Sequence, residues 1–194
     1  LVKKYLLPYI QDFHNKYPKV KITIYTNPTF TLLQKMRNGI IDFIILNMPY
    51  DVPSDCDSYE LTDIQDCFIA NNKFKELKNK TISLSDINNY PLILISKGSN
   101  TRDALDNYCS NLGITLEPEM ELSSYSLVTE FTKIGMGIGS ATKEFVNEEF
   151  NNGELFEVKT EPKLPKRYIG VMNLKNKVLS KCSQEFLDIL NKKM

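Results

Sequence analysis

The chain contains no tryptophan, a single histidine, four cysteines and eight glycines in 194 residues, and its 24 basic side chains are balanced by 24 acidic ones. Each scarcity narrows the function. A formal charge of zero argues against a phosphate-binding surface as the main business of this segment, because neutralising a nucleic-acid backbone needs a basic excess. Cys56, Cys67, Cys109 and Cys182 form no CxxC pair, and His14 has no ligand-bearing neighbours, so no metal site is expected. A Cys–His nucleophile is excluded on the same ground, with His14 reading as a surface residue next to Phe13. Cys109 and Cys182 occupy apolar positions of predicted helices and are expected in the core. Cys56 and Cys67 stand eleven apart around a predicted turn and strand, a spacing that permits a disulfide, although intracellular thiols usually stay reduced. No apolar run approaches the roughly 20 residues that span a bilayer. The opening LVKKYLLPYI lacks the layout of a signal peptide. The expectation is a cytoplasmic chain with no membrane partner.

What is present describes a folded α/β protein. Hydrophobic residues make up 42% and aromatics 10%, enough for a substantial core in one large domain or two smaller lobes. Residues 1–16 carry one apolar helical stripe, Tyr5, Leu6, Tyr9, Ile10 and Phe13, and Pro8 within it requires a kink or a later start. Val20, Ile22 and Ile24 alternate with Lys19, Lys21 and Thr23 and predict a strand with one wet face. The turn TNPTFT leads to a helix bearing Leu32, Leu33 and Met36 that Gly39 closes, and residues 40–46, IIDFIIL, then predict a buried strand. Two such passages in a row predict right-handed βαβ units and a parallel sheet. Further on, YELTDIQDCFIANN reads as one long strand or two short ones, and SLSDINNY as a short helix capped by Ser83 or Ser85. Strands are predicted over residues 119–122, 155–158 and 168–174, with helices over residues 142–150 and around Leu179, Cys182, Phe186, Ile189 and Leu190.

The most informative stretch is residues 91–112, PLILISKGSNTRDALDNYCSNL. A short buried strand, Leu92 to Ile95, turns through Gly98 and hydroxyl residues into a helix marked by Leu105, Tyr108, Cys109 and Leu112. The first amides of such a helix have no partner within it, and with the dipole they suit a small anion. The same residue types equally suit plain helix capping by Ser99, Asn100 or Thr101. Ser123, Ser124 and Tyr125 form a second polar turn before a helix with Leu127, Val128, Phe131 and Ile134. The glycines of GMGIG follow that helix and enter a strand. A dinucleotide fingerprint leaves a strand and opens a helix, so these glycines are expected to serve close backbone packing, and no cofactor is expected.

In order and spacing these pieces resemble the effector-binding domain of LysR-type transcriptional regulators. The matching segments are LLPYIQDFHNKYPKVKITI, LLQKMRNGIIDFIILN, SLSDINNYPLILISKGSNTRDALDNY and ELSSYSLVTEFTKIGMGIG, followed by the last strand and helix. The resemblance implies a two-lobed fold like the type 2 periplasmic binding proteins, with mostly parallel sheets flanked by helices and two crossover segments. It places lobe one at residues 1–67 plus 168–194, without the family's first strand, and lobe two at residues 68–167. It further implies a small-molecule effector (a carboxylate, an amino acid or an inorganic anion) in the cleft between lobes. The effector would be held by Asn27, Thr29, Asn47, Ser96, Ser99, Asn100, Thr101, Arg102, Ser123 and Ser124, where open α/β sheets bind ligands at strand ends. Arg102 alternatively reads as a solvated helix residue, and Tyr125 and Phe30 as core residues or pocket walls. Homodimers or homotetramers are implied, with DNA contacted only through a winged helix-turn-helix outside these residues. Where the family often runs through apolar residues to a proline after GMGIG, this chain has Ser140, Ala141 and Thr142. A solute-binding protein of an uptake system would share the fold. An enzyme would need a poised acid, base or nucleophile, and the polar turns hold only hydroxyls, amides and Arg102, so no catalysis is expected.

Overall fold

A computed structural model describes residues 1–191. The elements in chain order are α1 (Leu7–Lys16), α2 (Thr29–Arg37), β1 (Ile44–Met48), β2 (Cys56–Ala70), β3 (Thr81–Ser83), β4 (Leu92–Ile95), α3 (Asn100–Asn111), β5 (Met120–Leu122), α4 (Tyr125–Lys133), β6 (Ile138–Thr142), α5 (Asn147–Asn151), β7 (Phe156–Glu161), β8 (Lys166–Leu174) and α6 (Lys181–Asn191). Two compact units result, one of Leu1–Asp63 with Tyr168–Met194 and one of Ile64–Arg167. Both β2 and β8 run on from one unit into the other.

In the first unit, β1 pairs antiparallel with β8, setting Ile44 opposite Met172 and Met48 opposite Tyr168. Leu33 and Met36 of α2 pack with Ile44, Leu46, Met48, Cys56 and Met172 to form its core. The apolar stripe of α1 meets α6, where the Phe13 and Phe186 rings stand edge to face at 5.4 Å. Tyr17 seals the same contact by donating its hydroxyl to Glu185 at 2.6 Å. Proline acts as the sequence requires: a wider-wound turn over Val2–Leu6 precedes α1, and Pro8 falls in the first turn of the regular helix, where its missing N–H costs nothing.

The strand expected around Val20, Ile22 and Ile24 does not form. Residues 21–28 are irregular, and Ile22 and Ile24 remain 37% and 48% exposed. Alternation supplies one apolar face, but a strand also needs a neighbour to take its hydrogen bonds. β1 stands at the end of the strand order, and among the described residues no strand lies on its outer edge. An apolar groove of about 390 Å³ occupies that side of the unit, lined by Leu6, Ile10, Ile22, Ile24, Ile41 and Phe43 among others. Residues 40–43 are likewise outside any strand, so β1 begins four residues later than expected.

The second unit is built around β4, whose four residues are all buried. It pairs in parallel with β5 and with β6, while β2 pairs antiparallel with β6 and with β7. β3 also pairs in parallel with β7, so the sheet is mixed, with parallel pairing among β4, β5 and β6 and antiparallel pairing along β2. The crossover helices α3 and α4 impose parallel pairing on β4, β5 and β6, and the traversing strand β2 runs against β6 and β7. Along β2 the side chains alternate: Phe68 and Ala70 join the core with Leu92, Leu94, Leu105 and Ile138, while Cys67 and Ile69 join Ala141, Val146 and Leu155 on the other face. The glycines at the start of β6 serve close approach as expected. A side chain at Gly137 would collide with the Pro91 carbonyl, and one at Gly139 with the Thr132 hydroxyl. Cys109 is buried as expected, but Cys182 is exposed, because Ser183, Leu187 and Leu190 form the inward stripe of α6. All four cysteines are free thiols.

Candidate functional site

Two strand-to-helix passages leave the same end of the sheet in the second unit. β4 and β5 are parallel neighbours with Ile95 opposite Leu122, and the Ser96 amide donates to the Leu122 carbonyl at 2.8 Å. The loops that follow, residues 96–99 and 123–124, are therefore side by side. In the first, Gly98 takes a φ of +85°, which lets the chain turn sharply into α3. Ser99 then caps that helix, its hydroxyl accepting from the Arg102 amide at 3.1 Å. In the second, Ser124 caps α4 by accepting from the Leu127 amide at 3.3 Å. Each cap takes up one first-turn amide, so capping and an anion seat coexist, and two helix dipoles direct their positive ends toward one set of loops. Ser96, Ser99 and Asn100 are half-buried there, Ser124 is half-buried, Ser123 is exposed and Thr101 is buried. The structure thus gathers these six expected residues at one place.

Arg102 is placed differently from a solvated or ligand-facing cation. Only 1% of it is exposed. Its Nε donates to both Asp106 oxygens at 2.8 and 2.9 Å, and its Nη1 to the Ile95 carbonyl at 3.0 Å and to Glu121 at 2.6 Å. Burial alone would lower its pKa, but the hydrogen bonds it donates to Asp106 and Glu121 outweigh that and hold it above the ordinary value. Two carboxylates offset its charge. Arg102 therefore binds the end of β4, the end of β5 and α3 together, a brace beneath the loops. The exposed cation in the loop itself is Lys97, which sequence reasoning passed over as part of a turn.

Behind the loops lies a buried ion pair that the sequence reading did not single out. Arg167 of β8 donates to Asp66 of β2 through Nε at 2.6 Å and Nη2 at 2.7 Å, and the Thr142 hydroxyl of β6 donates to the same carboxylate at 3.2 Å. Arg167 is 4% exposed and Asp66 8%. Charged residues among apolar strand positions, D in IQDCFIA and R in KRYIGV, were the available signal.

The remaining expected residues belong to the first unit. Asn27 is exposed in the irregular turn before α2, and Thr29 is the first residue of that helix. Asn47 lies within β1, opposite Ile169, and the strand continues to Met48. Phe30 is 66% exposed and packs into no core. No group of acidic, histidine or cysteine side chains suited to hold a metal occurs among the described residues. No helix among them is long and apolar enough to cross a membrane.

Comparison with known proteins agrees with this architecture. The family model described as LysR substrate binding domain matches residues 1–194. The chain belongs to that family. A curated relative, the HTH-type transcriptional activator CmpR of Synechocystis sp., is 28% identical over 190 residues, covering 96% of this chain and 62% of the relative. A probable RuBisCO transcriptional regulator of Cyanidium caldarium is 23% identical over 188 residues, covering 94% and 59%. The chain thus spans about three-fifths of the length of these LysR-family relatives. Among solved structures, the regulatory domain of Synechocystis CcmR in complex with 2-PG superimposes with a TM-score of 0.86 at 24% identity, over 99% of this chain and 92% of that one. The effector-binding domain of QuiR in complex with shikimate gives 0.81 at 17% identity, over 97% and 90%. These likenesses show the fold of a LysR effector-binding domain, a two-lobed α/β architecture like that of periplasmic binding proteins.

Proposed function

We propose that this LysR-family domain senses a small anionic metabolite at the strand ends of its second unit and thereby controls a transcriptional regulator. The carrying observation is the pairing of two capped helix starts, α3 and α4, on adjacent parallel strands. A carboxylate or phosphate there meets the amide-rich ends of two helices, the hydroxyls of Ser96, Ser99, Thr101, Ser123 and Ser124, and the Lys97 ammonium. The complexes of CcmR with 2-PG and of QuiR with shikimate support this choice of ligand class. Ligand binding acts by favouring one of the protein's pre-existing arrangements. DNA contact belongs to a helix-turn-helix outside these residues, in a homodimer or homotetramer working in the cytoplasm. With hydroxyls, amides and one free cation in the loops, the seat binds and does not catalyse.

Calorimetric titration with 2-PG, shikimate and inorganic phosphate tests the reading. Thr101→Val keeps the volume of the buried side chain and removes its hydroxyl, and Lys97→Ala removes the cation. Each is expected to weaken the tightest-binding of these anions by about tenfold or more, the value of one charge-assisted contact, with an unchanged circular-dichroism spectrum. Unaltered affinity in both variants refutes the assignment.

A further inference from the structure

Tyr125 opens α4 at the seat, yet its hydroxyl turns inward. The oxygen is buried, and no protein group meets it with full hydrogen-bond geometry. The Thr101 and Thr142 hydroxyls and the Arg167 guanidinium nevertheless stand near enough to interact with it, and Asp66 acts through its charge. Burial pushes its pKa up to about 12, so the phenol stays protonated and remains a donor. Such a hydroxyl carries a desolvation cost that native proteins nearly always relieve with a partner. Beside it lies a cavity of about 10 Å³ whose polar lining is Asp66, Thr101, Arg102, Tyr125 and Ser140. That volume matches the threshold for a single water, and the lining offers the two to four polar partners a buried water needs.

We propose that this cavity is a one-water site, and that the water makes Tyr125 a positioning residue of the anion seat. The water accepts from the Tyr125 hydroxyl and donates to the Asp66 carboxylate and to a hydroxyl of Thr101 or Ser140. The first turns of α3 and α4 are thereby tied through Asp66 and Arg167 to β2 and β8, the two strands that pass between the units. The positioning role rests on the anion-seat reading above; the water site does not. A helix start fixed in this way presents its amides to the anion without reorganising, and preorganisation lowers the cost of binding.

The test is a crystal structure of the full chain at a resolution that defines waters, with Tyr125→Phe examined by thermal unfolding and by titration with 2-PG and inorganic phosphate. The expected result is ordered density about 2.6–3.2 Å from both the Tyr125 hydroxyl and the Asp66 carboxylate. Tyr125→Phe is then expected to leave the melting temperature unchanged or slightly lower, and to weaken binding of the anion threefold to tenfold. A direct bond from the Tyr125 hydroxyl to Thr142 or Arg167 with no density in the cavity overturns the water site. A melting temperature raised by several degrees in Tyr125→Phe also overturns it, since relief would then come simply from deleting an unpaired hydroxyl. Density with unaltered anion affinity in the variant overturns the positioning role. If neither anion binds the parent protein, the seat reading and the positioning role fall together, while the density still decides the water site.

Discussion

Replacing Arg167 by Met removes a guanidinium that is 4% exposed and makes two short bonds to a carboxylate that is 8% exposed. Methionine roughly keeps the volume, so the effect isolates the charge. Asp66 is left inside the protein with the Thr142 hydroxyl and no guanidinium. Breaking a buried pair from one side costs about 3–5 kcal/mol, because the remaining ion keeps its desolvation cost and loses its attraction. For a chain of this size each kcal/mol moves the melting temperature by about 2–4 °C, so a fall of about 6–20 °C is expected. Thermal unfolding at neutral pH reads this directly. The double variant Asp66→Leu with Arg167→Met removes both charges and is expected to recover most of the loss, because an apolar pair in the same space carries no desolvation cost. A single variant that melts within about 2 °C of the parent, below the shift expected for 1 kcal/mol, would refute the argument. It would mean that water reaches the pair and screens it. A double variant that melts well below the parent would show that the pair is worth more than its desolvation.

Two further outcomes follow from packing and charge. Gly139→Ala places a methyl group against the Thr132 hydroxyl and Val128, both fully buried, and is expected to destabilise the second unit by about 1–3 kcal/mol, measurable by urea unfolding. The Asp55, Glu154 and Glu185 carboxyls are held below their ordinary values, chiefly by hydrogen bonds from Arg37, from Asn152 and Lys133, and from Tyr17 and Lys16 respectively. Their stabilising effect is present above the unfolded carboxylate range and is lost as pH falls through the depressed folded values, so melting temperature is expected to drop on acidification below about pH 4. A melting temperature that holds or rises over that interval would contradict these pairings.

The local reading of the second unit was legible because each element there carries its own signal. LILI reads as a buried strand, Ser99 and Ser124 stand where helix caps belong, and Gly113 and Gly137 sit where a helix ends and where two backbones meet. The family, and with it the two-lobed fold, followed from the order of such pieces. The segment around Ile22 shows the limit. Its alternation predicted a strand with one apolar face, but residues 21–28 are irregular and exposed on both sets of positions, because pairing depends on a neighbour along the sheet edge that the segment's own residues do not encode.

The side-chain roles divide in the same way. Sequence by itself determined that hydroxyl-rich loops would follow β4 and β5, because capping and turning are local chemistry. Only the tertiary structure decided that these loops stand side by side, since the register of Ile95 with Leu122 joins residues 27 apart. It also decided that Arg102 braces the loops from below, since a guanidinium goes where carboxylates and a carbonyl converge, here from Asp106, Glu121 and Ile95. Asp66 and Arg167 lie 101 positions apart in the chain, and their partnership exists only because two strands that cross between units bring them together.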